Sequence, residues 1–225
     1  MAPTLEVVAG EREAAQRGAE QIAAAGRAAV DERGSFSLAM SGGSTPWAML
    51  AILSDGEQMP WAQTSLFQVD ERVASPGSED RNLTHMVLGL SMQNQSALRP
   101  MPVTQRDLEA AALEYEESLP EPLDLVHLGL GTDGHTASLV PGDPVLDVRD
   151  RRVAVTETAY QDHRRMTLTY PAIESARRVL WLVTGPSKQE ALAKLLAGDV
   201  SIPAGRVRND STVVIADEAA AGSSG

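Results

Sequence analysis

Short apolar runs alternate with stretches of helical spacing along most of this chain. Glu11 to Glu32 reads as an alanine-rich helix, and Ser35 to Met40 as a strand. Ser41-Gly42-Gly43-Ser44-Thr45-Pro46 ends that strand, and Trp47 to Leu53 continues as a helix. Pro46 suits the first helical turn, where its missing N–H would have no partner anyway. Ser65 to Val69 predicts the next strand, ending at Asp70-Glu71-Arg72; a loop rich in Pro, Gly and Asp follows, then a helix near Leu83 to Leu90. A short strand is expected near Arg99 to Val103, a helix over Asp107 to Ser118 and a strand over Leu123 to Leu130. Further strands are expected at Val153 to Val155, Met166 to Thr169, Val179 to Thr184 and Thr212 to Ala216, with a helix over Lys188 to Leu196. Strands alternating with helices predict an α/β fold with a mainly parallel sheet covered on both faces. No repeat or interdomain linker interrupts the pattern, so residues 1–225 read as a single domain, with Ala219 to Gly225 a frayed tail.

Composition narrows the chemistry. The 225 residues include 43% hydrophobic but only 4% aromatic ones, so Ala, Val, Leu and Ile must build the core. A net charge of −12 argues against nucleic-acid binding, which needs a basic surface. An anionic small molecule would need a locally basic pocket within that repulsive field. The absence of cysteine excludes disulfides, thiolate nucleophiles and cysteine-based metal sites. No apolar run approaches the ~18 residues of a membrane span, and Met1 to Gly10 is too polar for a signal peptide, so a cytoplasmic protein is expected.

Three segments place polar groups where strands end. Ser41 to Pro46 combines two glycines, two hydroxyls and a helix start, which suits an anion at backbone N–H groups. It equally suits an ordinary capped turn. It has neither P-loop nor G-x-G-x-x-G spacing, which leaves little support for nucleotide binding. Asp70-Glu71-Arg72 is either a surface ion cluster or a place where Arg72 grips a phosphate or carboxylate. The most informative stretch is Leu128 to Gly142, L-G-L-G-T-D-G-H-T-A-S-L-V-P-G, which carries His135 two residues after Asp133 in a glycine-rich turn. A neutral imidazole there suits proton abstraction from water near neutral pH. Gly129 and Gly131 permit tight turning, and Gly134 lets His135 project from a bend. His127 is expected to pack or hydrogen-bond within the sheet, and His85 and His163 lack catalytic company; four scattered histidines make no metal site. Arg164-Arg165 precedes a strand, and Lys188 opens a helix at the end its charge disfavours, a hint that it meets an anion.

Together, S-G-G-S-T-P at Ser41 to Pro46, D-E-R at Asp70 to Arg72, G-L-G-T-D-G-H-T-A-S-L-V-P-G at Gly129 to Gly142, R-M-T-L-T at Arg165 to Thr169 and G-P-S-K at Gly185 to Lys188 resemble the 6-phosphogluconolactonase family. The resemblance implies a Rossmann-like α/β domain with a smaller additional region. It implies hydrolysis of 6-phospho-D-glucono-1,5-lactone, the second step of the oxidative pentose phosphate pathway, without cofactor or metal. Carried over by position, His135 is the general base and Asp133 the acid that orients it. Gly42, Gly43, Ser44 and Thr45 form the loop at which the phosphate is expected to dock. Asp70, Arg72, Arg165 and Lys188 surround the phosphate and sugar. Two positions depart from the pattern: Val140 replaces the usual phenylalanine, expected to alter pocket packing, and Arg81 stands where many relatives have serine. A related deaminase shares the D-G-H core but has a glutamate at the position of Val140. A non-catalytic sugar-phosphate sensor, the rival of another class, would keep the phosphate loop and need no base.

Overall fold

The computed structural model describes residues 3–222. In chain order its elements are β1 (Thr4–Val8), α1 (Glu11–Arg33), β2 (Phe36–Met40), α2 (Ser44–Asp55), β3 (Thr64–Gln68), β4 (Asp70–Arg72), α3 (Asn82–Gly89), β5 (Leu98–Arg99), α4 (Leu108–Ser118), β6 (Leu125–Leu128), β7 (Val153–Val155), β8 (Arg165–Leu168), α5 (Tyr170–Glu174), β9 (Val179–Val183), α6 (Gln189–Ala197), β10 (Thr212–Asp217) and α7 (Glu218–Ala221).

Seven strands form one sheet in the order β1-β10-β9-β6-β2-β3-β5, parallel at every pairing. The expected smaller region is a second sheet, β4-β8-β7, antiparallel throughout. Strands β2, β6 and β9 are buried along their whole length, as expected of a sheet covered on both faces. One face packs on Ala14, Ile22, Met49, Leu50 and Met86 from α1, α2 and α3. The other meets Ala111 and Tyr115 of α4, Ile173 of α5, Leu192 of α6 and the small sheet's Val153, Met166 and Leu168.

The structure adds elements absent from the sequence reading. β1 pairs with β10 at the sheet edge, and the short helix α5 follows β8. Asp70 to Arg72, expected as a strand end, is itself β4. The tail expected from Ala219 is not frayed at its start: Asp217 caps α7 through the Ala220 N–H, and Ala220 is buried. Residues 223–225, the rest of that tail, lie outside the described residues, as do 1–2.

The order of the large sheet reverses between β2 and β6: the chain runs outward through β3 and β5 on one side and through β9 and β10 on the other. Ligands in open α/β sheets bind beyond the carboxyl ends of strands at such a point. The loops after β2 and β6 carry Ser41 to Thr45 and Gly129 to His135.

Candidate active site

A cleft of about 400 Å³ opens there. Its walls include Gly42, Gly43, Ser44, Thr45, Asp70, Arg72, His135, Arg165 and Lys188, so nearly all the residues singled out from the sequence converge on it. Asp133 stands behind His135. Its Oδ1 lies 2.6 Å from the imidazole Nδ1 and accepts the His135 backbone N–H at 3.1 Å. The turn closes through the Gly131 N–H, which donates to the His135 carbonyl at 2.8 Å. A side chain at position 131 would place its Cβ 2.1 Å from Nδ1, so glycine is a steric requirement of this pair. With Nδ1–H donated to Asp133, Nε2 is left with the lone pair, the tautomer a general base needs. Burial disfavours the Asp133 carboxylate, yet the hydrogen bonds from the His135 backbone and ring and from the Tyr160 hydroxyl outweigh it. Its pKa therefore falls below the ordinary carboxylate value.

Three cations face this pair across the cleft. Arg165 is almost wholly buried, with Nη1 3.8 Å from Asp70 Oδ2. Burial lowers its pKa, opposed by Asp70 and reinforced by Arg72. Arg72 donates from Nη1 to the Asp80 carbonyl at 2.6 Å. The Nε atoms of Arg72 and Arg165 are buried and have no hydrogen-bond partner among the described residues. Lys188 sits just before α6; burial pushes its pKa down, partly offset by the charge of Asp133. A molecule of net charge −12 thus presents a locally basic cleft.

Asp70 is held rather than free. Ser138 Oγ donates to its Oδ2 at 2.6 Å, and Asn82 Nδ2 donates to its backbone carbonyl at 2.8 Å. Asn82 also presses on Gly42, where an added Cβ would lie 2.2 Å from Asn82 Oδ1. Neighbouring Glu71 is fully buried and accepts the N–H groups of Asn82 and Leu83 at the start of α3. Arg81, the residue of unusual identity, lies 3.5 Å from that carboxylate and does not line the cleft. Val140 is buried away from the cleft walls, so the expected change in pocket packing is not where it falls.

One expectation changes in kind. The Ser44 and Thr45 hydroxyls both donate to Glu11 Oε1, at 3.1 and 2.6 Å, and Thr45 also meets Thr184 at 2.8 Å. In this arrangement a carboxylate takes those hydroxyls, and what the loop offers the cleft is the backbone N–H groups of Ser44 and Thr45, since Pro46 has none and the Trp47 N–H donates to the Gly43 carbonyl at 3.0 Å. Sequence reasoning missed Glu11, which lies 33 residues from Ser44 and meets it only because α1 packs on α2. It also missed Trp47 and His85, which stack at 5.5 Å on the cleft wall, and Tyr160, which carries no motif. Among the described residues no three His, Asp or Glu side chains gather as a metal-binding group.

Residues 9–215 match the family model described as glucosamine-6-phosphate isomerases/6-phosphogluconolactonase. The chain belongs to this family. It is 35% identical to a 6-phosphogluconolactonase of Synechocystis sp., covering 88% of this chain and 86% of that protein. It is 36% identical to one of Mycobacterium tuberculosis, covering 89% and 92%. A 6-phosphogluconolactonase structure from Shewanella baltica OS155 superposes with a TM-score of 0.85 at 28% identity, over 96% of this chain and 97% of that one.

Proposed function

We infer that the protein hydrolyses 6-phospho-D-glucono-1,5-lactone to 6-phospho-D-gluconate, with His135 as general base, Asp133 orienting it and residues 1–225 acting as one catalytic unit in the cytoplasm. The observation that carries this is the Asp133–His135 pair facing Arg72, Arg165 and Lys188 across one cleft. The curated relatives named above bear the same activity in their names.

The substrate already holds a reactive ester, so the protein must grip it, deprotonate water and stabilise charge. The phosphate sits among the three cations and the Ser44 and Thr45 backbone N–H groups that open α2. Neutral His135 takes a proton through Nε2 as the water oxygen bonds to C1. The tetrahedral intermediate then collapses, the C1–ring oxygen bond breaks and the imidazolium returns the proton to the leaving oxygen. No G-x-S-x-G elbow offers a serine nucleophile instead.

Val140 counts against the deaminase reading, since it puts an aliphatic side chain where that activity uses a carboxylate. The intact Asp133–His135 pair counts against a non-catalytic sensor. Freshly made lactone and glucosamine 6-phosphate, offered separately with no-enzyme controls, decide among the three. Accelerated acid release from the lactone is expected, with no ammonia from the amino sugar. Ammonia release, or neither product, would overturn the reading.

A further inference from the structure

We propose that Tyr160 is a positioning residue for the reaction: its hydroxyl holds the second oxygen of Asp133, and its ring couples the Asp133–His135 pair to Arg165. This rests on the hydrolase reading above. Tyr160 is not among the residues lining the cleft, so it acts through its neighbours rather than on substrate. Its hydroxyl donates to Asp133 Oδ2 at 3.2 Å and lies 3.4 Å from His135 Nδ1. Asp133 is thereby bound at both oxygens, by the imidazole at Oδ1 and by the phenol at Oδ2. The carboxylate plane, and with it the direction in which Nε2 points, is fixed from behind. The Tyr160 ring meets the imidazole edge-on, with centroids 5.1 Å apart.

The other side of the ring faces the anion end of the cleft. The Arg165 guanidinium lies 5.2 Å from the ring centroid, and Nη2 donates to the Tyr160 carbonyl and to Gln161 Oε1, each at 3.2 Å. A chain of contacts thus runs from Asp70 through Arg165 and Tyr160 to Asp133 and His135.

The segment bearing Tyr160 is built to hold it still. Tyr160 and His163 pair across a two-residue turn whose central residues, Gln161 and Asp162, both have positive φ, 51° and 67°. Neither is glycine, and such a backbone persists only where its surroundings over-determine it. Here the surroundings are named. Asp143, buried, accepts the Thr158 N–H at 2.9 Å and its hydroxyl at 2.6 Å, anchoring one arm of the turn to the segment after the active-site loop. On the other arm His163 Nε2 lies 3.3 Å from Asp80 Oδ2, the residue whose carbonyl receives Arg72.

The charged and titratable groups acting on Asp133 are His135, Tyr160 and Lys188. Without the phenol, Asp133 loses a donor that favours its ionised form and protonates at higher pH. The test uses Tyr160→Phe, which keeps the ring, and Tyr160→Leu, which does not. For Tyr160→Phe, kcat on fresh lactone should fall about tenfold with KM within about twofold, the loss of one hydrogen bond to a charged group. The low-pH limb of kcat should move upward. Tyr160→Leu should add a rise in KM, because Arg165 loses its platform. Unchanged kcat and an unmoved limb in Tyr160→Phe overturn the proposal, as does a rise in KM alone. A titration of the Asp133 carboxyl carbon by NMR separates this from failure of the hydrolase reading. An upward shift in Tyr160→Phe supports the contact whatever the reaction proves to be, and no shift overturns it. His135→Ala retaining full kcat would instead break the general-base assignment.

Discussion

Two histidines eight residues apart, His127 on β6 and His135 on the loop after it, have opposite surroundings. His127 is completely buried, flanked in register by Met40 and Leu180, and neither ring nitrogen has a hydrogen-bond partner among the described residues. Burial pushes its pKa down to about 3, so it is an uncharged core side chain. His135 is partly exposed to a basic cleft and is held by a carboxylate that fixes which nitrogen carries the proton. The same side chain is core filler in one place and, in the function proposed above, a base in the other. The difference lies in a partner for one nitrogen and access for the second.

The sharpest way to break this contrast is to remove each ring in turn. His135→Ala should lose about 10²–10⁴-fold in kcat, the usual scale of general-base help, with folding intact by circular dichroism. Next in size come the cations opposite. Lys188→Ala and Arg72→Ala should each raise KM for the phosphorylated lactone about 10- to 100-fold, as expected for a lost hydrogen bond between charged groups. Unphosphorylated gluconolactone should be affected far less; equal losses on both substrates would remove the phosphate role.

His127 should register in stability instead. Its folded pKa lies below the ordinary 6.5, so the unfolded chain binds a proton that the folded chain refuses. The stability present above about pH 6.5 is therefore lost as pH falls towards 3. His127→Leu should shed that component, and its Tm should fall less than the wild type's between about pH 7 and pH 5, by roughly 4–8 °C in differential scanning calorimetry. Equal acid sensitivity in both proteins would contradict the neutral, buried assignment. Smallest is Glu11→Gln, which removes a negative charge beside the Ser44–Thr45 loop. It should tighten binding of 6-phosphogluconate about two- to fivefold by titration calorimetry. Weaker binding would mean that the carboxylate instead organises the loop for the anion.

What the chain discloses by itself follows burial. Strands β2, β6 and β9 are covered on both faces and read as apolar runs, unbroken in β9 and interrupted only by Ser37 in β2 and His127 in β6. β1 escaped because it is an edge strand whose Leu5 and Val7 are exposed and whose Glu6 interrupts the run. β4 escaped because it is spelled Asp70-Glu71-Arg72, three charged residues whose first two are buried with partners that come mostly from other segments: Ser138 and Asn82 on Asp70, and Asn82, Leu83 and the nearby Gln68 on Glu71. The same division runs through the site. Asp133 and His135 are two residues apart, so their pairing is local and visible. Glu11 and Tyr160 join it by tertiary contact across 33 and 25 residues, to Ser44 and His135 respectively, and no spacing announces either.

The most direct test of the account is the initial rate of acid release from freshly made 6-phosphogluconolactone near neutral pH, with wild type, His135→Ala and His127→Leu measured side by side and spontaneous hydrolysis subtracted. The wild type and His127→Leu should turn over at comparable rates, while His135→Ala falls towards the uncatalysed background. A His135→Ala protein that matches the wild type, or a His127→Leu protein that is folded and inert, would contradict it.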